Sequence, residues 1–237
     1  MTEPAPPAPG PWQRATVLAT DPETATARTL RLGLADPVPH LPGQHYVVRL
    51  VAPDGYTATR SYSVASAPDD SGEVELTVEL LPDGEVSGFL HDVLEVGDVL
   101  EVRGPIGGWF AWSGDAPALL VGGGSGVVPL MAMLRHARRT GESDLVRMVV
   151  SVRTPEDLYY ASELPGPEVT VVHTRRAPPG DLRPPGRLGA ADLPAIAPGA
   201  TAYVCGSSGF ADAASALLVE AGVPVSAIRV ERFGPTG

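Results

Sequence analysis

Glycine recurs at positions 122, 123, 124 and 126, between an apolar run that ends at Val121 and a proline at position 129. A glycine-rich loop between a strand and a helix leaves backbone N–H groups that can bind a phosphate beside the positive end of the helix dipole. Proline is well tolerated in the first turn of a helix. The alternative is a tight strand–helix turn without a ligand, but three consecutive glycines cost more conformational entropy than such a turn requires. The run therefore predicts a phosphate site.

A second candidate is the RSYS run at positions 60–63. On a strand, Arg60 and Tyr62 share one face, and Ser61 and Ser63 share the other. A guanidinium can bind phosphate, an aromatic ring can cover a planar ring, and a neighbouring hydroxyl can reach a ring nitrogen. The alternative is an ordinary half-exposed strand.

Ser87 follows a turn at Asp83 and Gly84 and lies close to a predicted helix start. A serine hydroxyl or a bare N–H at a helix start can bind phosphate, or the serine can merely cap its own helix. The GPIGGWF run at 104–110 predicts a rigid turn with an architectural role.

The SVRTPED run at 151–157 predicts the end of a strand followed by a helix start. Thr154 can serve as the N-cap, Pro155 as the first helical residue, and Asp157 as the partner in a capping-box-like pair. Ser151 and Arg153 would then lie at the carboxyl end of the strand. A guanidinium there suits the 2′-phosphate of a dinucleotide, whereas a carboxylate suits ribose hydroxyls. The alternative is a solvated arginine.

Two patterns of predicted elements position these residues. From residue 14 to about 111, short strands alternate with turns and one helix covers about 86–94, which indicates a small antiparallel barrel or sandwich. After a predicted linker at 112–115, strands alternate with helices, which indicates a parallel sheet that binds ligands at the carboxyl ends of its strands. The predicted strands there are 118–121, 147–152, 169–173 and 202–205, and the helices are 129–140, a short one from 155, and 209–221. Residues 175–198 predict a long surface loop. Cys205 lies at a predicted strand end, and its default interpretation is a buried structural cysteine.

Composition excludes several classes of protein. The 237 residues include 17 arginines, no lysine and 28 acids, for a net charge of −11, which disfavours nucleic acid and anionic membranes as partners. A single cysteine forms no internal disulfide or cysteine-ligated cluster, and the five histidines lack metal-ligand spacing, so we expect no metal site. No apolar run reaches the roughly 18 residues of a membrane span, and no signal pattern is present. We expect a cytoplasmic protein without membrane insertion, with a disordered Pro-rich tail at 1–13.

The ordered runs RSYS, GEVS, GPIGGWF, GGGSGVVP, SVRTPED, CGS and a terminal Glu-x-aromatic resemble the ferredoxin–NADP reductase family over about residues 14–233. The resemblance implies a two-domain fold. A six-stranded antiparallel β-barrel at 14–112 would bind FAD, and an α/β domain with a five-stranded parallel sheet at 117–237 would bind NAD(P). No fused iron–sulfur domain is expected.

The resemblance also implies the role of each site residue. Those that it assigns to FAD are Arg60, Ser61, Tyr62, Ser63, Val78, Gly84, Glu85, Val86, Ser87 and Phe233. Those that it assigns to the nicotinamide nucleotide are Gly122, Gly123, Gly124, Ser125, Gly126, Val127, Pro129, Ser151, Arg153, Tyr159, Cys205 and Gly206. Ser63, Cys205 and Glu231 would be catalytic, by aligning the nicotinamide and exchanging a proton. Unlike the plant-type members, this chain has four residues, GPTG, after Phe233.

The implied activity is electron transfer from NADPH via FAD to a separate acceptor such as a ferredoxin, a haem protein or an oxygenase component. One alternative is a free-flavin reductase of the same fold, and another is a non-catalytic redox adaptor that binds flavin and nucleotide. An acidic acceptor would need an arginine-rich docking face. The candidates for this face are Arg28, Arg31, Arg135, Arg138 and Arg139.

Overall fold

The computed structural model describes residues 10–234, which leaves most of the predicted tail and the last three residues outside the described part of the chain. Six antiparallel strands form the first sheet, in the order β4-β3-β6-β1-β2-β5. They are β1 (Gln13–Pro22), β2 (Ala27–Leu34), β3 (His45–Val51), β4 (Thr57–Ser63), β5 (Glu73–Glu79) and β6 (Val99–Ile106). A bridge between Val64 and Leu76 joins the two ends of this sheet and closes it into a barrel. The predicted antiparallel barrel is confirmed.

The barrel core follows the alternation of the sequence. Val74, Leu76 and Val78 of β5 point inward and are buried, as period-2 patterning predicts. Thr77, on the opposite face, is also buried, because residues from the second half of the chain cover that face.

The helix predicted at about 86–94 is present but is less regular than expected. It begins as α1 (Glu85–Gly88) and continues as a π-helical turn, Phe89–Val93. Val86 and Leu90 anchor it in the barrel core.

Five parallel strands form the second sheet, in the order β11-β10-β7-β8-β9. They are β7 (Ala118–Gly123), β8 (Val146–Val152), β9 (Val169–His173), β10 (Thr201–Gly206) and β11 (Ile228–Arg232). The helices α2 (Val127–Thr140) and α3 (Ser208–Glu220) cover opposite faces of the sheet. The predicted α/β domain is confirmed, with β11 as a strand that the sequence analysis had not delimited.

Helix α2 begins two residues earlier than predicted, after a 3₁₀ turn at Gly124–Gly126. Pro129 is therefore the third helical residue instead of the first. It fits there because the first N–H groups of a helix have no partner within the helix. The capping box predicted at Thr154 and Asp157 is confirmed, although the element that follows is only a 3₁₀ turn, Pro155–Asp157.

The predicted linker and the predicted loop are both packed more closely than expected. Trp112 is only 1% exposed, donates its Nε1–H to the carbonyl of Ala116, and meets His136 edge-on, so this part of the linker is core. The segment between β9 and β10 is irregular, as predicted. However, its Leu193 and Ile196 pack on the same sheet face as α3, so the segment also serves as a cover.

The two domains share a buried interface, since one hydrophobic cluster contains Ala27 and Ala65 of the barrel together with residues of α2 and β8. The boundaries at 14–112 and 117–237 remain a proposal. Within residues 10–234, no helix combines the length and apolar character that crossing a membrane would require.

Candidate functional site

The RSYS run lies at the end of β4. Arg60 is exposed, and its guanidinium donates only to the carbonyl of Thr59, at 2.7 Å, among the partners found in the described chain. Tyr62 is half-buried against the barrel core, and burial raises its pKa to about 12, so the phenol stays neutral. Ser63 is buried, and its register partner on β3 is His45.

Helix α1 packs against β4, the strand that carries Arg60. Tyr56 donates its hydroxyl to Glu85 at 3.2 Å, which ties the β3–β4 turn to this helix. The Ser87 hydroxyl accepts from the N–H of Leu81 and donates to the carbonyl of Gly84, both at 3.2 Å. Ser87 lies inside α1, whose N-cap is Gly84 without a side-chain cap bond, so the interpretation that Ser87 caps its own helix is wrong. Its hydroxyl instead ties the helix to the turn before it, and binding of a ligand by its second lone pair stays a prediction.

The glycines at the end of β7 and in the loop after it are there for two different reasons, which are close packing and an open turn. A Cβ on Gly126 would lie 2.1 Å from the carbonyl oxygen of Cys205, and one on Gly123 would lie 2.7 Å from the Phe210 ring. Packing alone therefore requires these glycines. Gly124 differs, because its φ is +57° and a Cβ there would meet nothing within 4 Å. The exposed turn at Gly124 is thus the part of the loop that can approach a ligand.

Cys205 lies at the centre of the carboxyl end of the sheet. Its register partners are Gly122 on β7 and Glu231 on β11. Burial, and secondarily the charge of Glu231, raises the pKa of the Cys205 thiol well above its usual value, so the thiol stays protonated. Burial also raises the pKa of Glu231 to about 7. The structure therefore brings together a neutral thiol and a carboxyl group that titrates near neutral pH.

Phe233 follows directly after β11. Its N–H donates to the carbonyl of Gly206 at 2.9 Å, and its half-buried side chain packs on the cluster that contains Cys205. The predicted residues Cys205, Gly206, Glu231 and Phe233 are thus neighbours at one edge of the sheet.

The end of β8 carries the residues predicted to bind a 2′-phosphate. Ser151 is buried and pairs with Gly123, whereas Arg153 is exposed. The carbonyl of Arg153 accepts the N–H of Arg175 at 3.0 Å, and Gly186 donates to the carbonyl of His173, also at 3.0 Å. This places Arg175, and Arg187 next to Gly186, at the same edge of the sheet as Arg153. Sequence reasoning missed both arginines, although the RR pair at 175–176, just past the predicted strand 169–173, was an available signal for Arg175.

Two predicted cofactor residues have buried side chains. Val78 points into the barrel core, so only its backbone and the neighbouring Glu79 can face a ligand. Tyr159 lies in the core cluster beside α2, with a hydroxyl that has no partner within the described residues. Burial, and secondarily the charge of Glu79, raises the pKa of Tyr159. Contact of either residue with a cofactor remains a prediction.

The five arginines expected to form a docking face are occupied by other contacts. Arg28 donates to the carbonyl of His91. The carboxylate partners of the other four arginines are Glu73 for Arg31, Glu75 and Glu163 for Arg135, Glu168 for Arg138, and Asp69 for Arg139. Ion pairing, which the sequence does not reveal, offsets four of the five charges, although the pairs of Arg31 and Arg139 are exposed and long. A docking face at these positions stays a prediction.

Known proteins share both domains of this chain. The family model for the oxidoreductase FAD-binding domain matches residues 16–110, and that for the oxidoreductase NAD-binding domain matches residues 120–216. The chain is 32% identical over 235 residues to the ferredoxin–NAD(P)⁺ reductase component of the naphthalene 1,2-dioxygenase/salicylate 5-hydroxylase systems of Ralstonia sp., covering 94% of this chain and 70% of that one. It is 33% identical over 154 residues to the propane 2-monooxygenase reductase component of Rhodococcus jostii, but that match covers only 41% of the longer protein.

Solved structures agree with the observed architecture. The cytochrome P450 reductase of Amycolatopsis matches with a TM-score of 0.78 and 28% identity, covering 96% of this chain and 71% of that one. The FAD/NAD-binding domain of a nitric oxide dioxygenase from Vibrio cholerae matches with a TM-score of 0.80 at 24% identity, covering 94% and 99%, and supports the fold alone. With both domains matched in this order, the chain belongs to the ferredoxin–NAD(P)⁺ reductase family and is an FAD-dependent NAD(P)H oxidoreductase.

Proposed function

We propose that this protein oxidises NADPH and passes the electrons, through bound FAD, to a separate acceptor protein. The observation that carries the proposal is that the open turn at Gly124 lies at the same edge of the sheet as the buried Cys205 and the half-buried Glu231. A dinucleotide bound along this edge would place its phosphates at the turn and its nicotinamide beside the pair.

The residues at the end of β4 fit FAD. Arg60 offers a guanidinium that pairs with no carboxylate in the part of the chain described, and its strand packs against α1, so a pyrophosphate held by Arg60 would also meet Ser87 in this proposal. Tyr62 offers a neutral aromatic ring for the isoalloxazine. Bound there, FAD would supply hydride acceptance and stepwise release of electrons, which no side chain can supply.

The protein's own residues would position the reactants and handle the proton. Because the pKa of Glu231 is about 7, this carboxyl group can hold or release a proton at neutral pH. Cys205 stays uncharged and would pack beside the nicotinamide. Phe233, fixed by its backbone bond to Gly206, would keep water from the reacting atoms.

The preference for NADPH over NADH rests on the arginines at the end of β8. Arg153 is exposed, and the backbone bonds of the neighbouring loop bring Arg175 and Arg187 to the same edge. A guanidinium binds a phosphate dianion through charge-assisted hydrogen bonds, whereas the ribose hydroxyl of NADH offers no charge.

The coenzyme preference is tested with Arg153→Ala. Loss of one charge-assisted bond, about 1.5–3 kcal/mol, is expected to raise the KM for NADPH about 10–100-fold and to leave the KM for NADH within about twofold. The matched control is Arg147→Ala at the other end of β8, where the guanidinium donates to backbone carbonyls alone among the residues described. Equal losses with NADPH and NADH would remove the 2′-phosphate role.

The reaction itself is tested anaerobically with the purified, FAD-loaded protein. NADPH is expected to bleach the flavin absorbance within seconds, and no bleaching would refute the proposal. Loss of FAD during gel filtration would favour a free-flavin reductase. Binding of both ligands without NADPH oxidation, whatever electron acceptor is added, would favour a redox adaptor.

The acceptor is proposed to be a ferredoxin, a haem protein or an oxygenase component. The Ralstonia and Rhodococcus relatives are named as reductase components of oxygenase systems, and the Amycolatopsis structure as a cytochrome P450 reductase, which supports this class. Reduction of each acceptor type by the NADPH-reduced protein, compared in one assay, would rank the three.

A further inference from the structure

Tyr160 has an unusual backbone conformation for a bulky residue. Its φ is +53°, in the left-handed region, and its side chain is almost wholly buried. Such a conformation is unfavourable for a non-glycine residue and persists only where the surrounding contacts fix it. The Tyr160 carbonyl accepts the N–H groups of Glu163 and Leu164 in its own domain, whereas its N–H and hydroxyl bond to residues of the other domain.

Four residues form a closed ring of hydrogen bonds around Tyr160. Its N–H donates to one oxygen of the Glu23 carboxylate at 3.0 Å, and its hydroxyl lies 2.5 Å from the hydroxyl of Thr77. Thr77 in turn lies 2.7 Å from the hydroxyl of Thr29, which donates to the second oxygen of Glu23 at 2.7 Å. We call Glu23, Thr29, Thr77 and Tyr160 the interdomain clasp, because the first three belong to the barrel and Tyr160 to the α/β domain.

Arg135 of α2 extends the clasp. Its guanidinium lies 5.0 Å from the centre of the Tyr160 ring, within the range of a cation–π interaction. It also donates to Glu75 of β5 at 2.6 Å and to the carbonyl of Ala65 at 3.0 Å. Ala65 lies two residues after Ser63, so Arg135 reaches from the α/β domain to the end of the flavin-side strand.

The clasp and Arg135 join the elements that carry the two halves of the proposed site. Helix α2 begins at the glycine loop, and Tyr160 follows the β8 end that carries Arg153. On the barrel side, the contacts reach β5 and the residues just after β4. Hydride transfer needs the reacting atoms at about 3–3.5 Å, so a small rotation between the domains would slow it strongly.

We propose that the interdomain clasp, with Arg135, fixes the angle between the two domains and thereby sets the rate of hydride transfer. Tyr160 and Arg135 are positioning residues in this account. This proposal rests on the proposed function, the oxidation of NADPH. A buried polar network specifies one geometry more strictly than apolar packing does, because a rotation between the domains would leave each of its polar groups without a partner.

The experiment compares Arg135→Met with Arg138→Met, one turn further along α2. Arg138 pairs with Glu168 and donates to the carbonyls of Glu163 and Leu164, so all of these contacts stay inside the α/β domain. Stopped-flow reduction of the FAD-loaded protein by NADPH gives the limiting rate constant and the apparent Kd separately. Arg135→Met is expected to lower the rate constant at least tenfold and to change the Kd less than threefold. Arg138→Met is expected to keep the wild-type rate constant.

A second readout does not depend on activity. Hydrogen–deuterium exchange without NADPH is expected to be faster in Arg135→Met at residues 63–67, on the barrel side of the contact. It is expected to be unchanged there in Arg138→Met, whose contacts lie in the α/β domain. Tyr160→Phe and Glu23→Gln, which keep side-chain volume, extend the test if Arg135→Met fails to fold. Each is expected to lower the rate constant about threefold or more and to speed the same exchange.

The outcomes separate the two proposals. If the wild-type protein is not reduced by NADPH, the proposed function fails, and the clasp is then judged by hydrogen exchange alone. If the wild-type protein is reduced, but the Arg135, Tyr160 and Glu23 variants match Arg138→Met in rate constant and exchange, the positioning role is overturned.

Discussion

Glu231→Gln tests whether the carboxyl group beside Cys205 is held in its protonated form by the fold. Burial raises the pKa of Glu231 from 4.5 to about 7. The folded protein therefore binds this proton more tightly than the unfolded chain does. Between about pH 4.5 and pH 7 the folded state carries more protons than the unfolded state, so stability falls as pH rises through this window and levels off above it. Glutamine cannot ionise, so the stability of the Glu231→Gln variant does not fall in this way between about pH 4.5 and pH 7.

The expected size of the effect follows from the pKa. At 1.36 kcal/mol per pKa unit, ionising Glu231 in the folded state costs about 3 kcal/mol relative to the unfolded chain. Because the residue is only partly buried, solvent screening reduces this to about 1–2 kcal/mol. For a chain of this length, that corresponds to a rise in Tm of about 2–8 °C for Glu231→Gln at pH 8.

Scanning calorimetry of the FAD-saturated protein at pH 5 and pH 8 measures the difference. The control is Glu220→Gln, which removes the same charge from an exposed position at the end of α3. Glu231→Gln is expected to gain Tm over Glu220→Gln at pH 8 and to show little gain at pH 5. A gain that is equal at both pH values, or a loss of Tm at pH 8, would refute the reasoning.

Two further predictions concern the same edge of the sheet. Gly126→Ala is expected to lower Tm more than Gly124→Ala does. The new Cβ at position 126 would lie 2.1 Å from the carbonyl oxygen of Cys205, whereas Gly124→Ala adds only backbone strain of about 1 kcal/mol. Gly124→Ala is expected instead to raise the KM for NADPH, and the reverse ranking in calorimetry and steady-state kinetics would contradict our account of the loop. Cys205 is expected to resist iodoacetamide in the native protein and to react once per chain in urea, because it is fully buried and its thiol pKa is raised. Native alkylation near the rate of free cysteine would disprove this.

Local patterns predicted much of the fold because they depend on neighbours in sequence. Polar and apolar residues alternate at 73–79, which predicts Val74, Leu76 and Val78 on the core face of a strand, and the strand–helix alternation after the linker at 112–115 predicted the parallel sheet. Alternation failed at Thr77, because that rule assumes that the outer face of a strand meets water. Here the outer face meets Tyr160.

The errors share one physical cause, which is that burial by distant residues leaves no local signal. Trp112 lies in a run that resembles a linker, yet it packs against His136, 24 positions later. Arg135 and Arg138 resemble surface charges on a helix, yet both are tied into ion pairs. The π-helical turn after α1 likewise depends on how the helix fits the barrel core.

The candidate site shows how far a motif can be interpreted without strand order. The glycine run predicted a phosphate loop between a strand and a helix; the turn is there, but two of its glycines are required by contacts with Cys205 and Phe210, and phosphate binding stays a prediction. Those contacts exist because β10 lies between β7 and β11, which makes Cys205 the register neighbour of both Gly122 and Glu231. This strand order is a property of the whole domain. It is also what brings the ligand-accessible turn at Gly124 close to the thiol and the titrating carboxyl group, so the same packing that restricts the loop assembles the proposed catalytic edge.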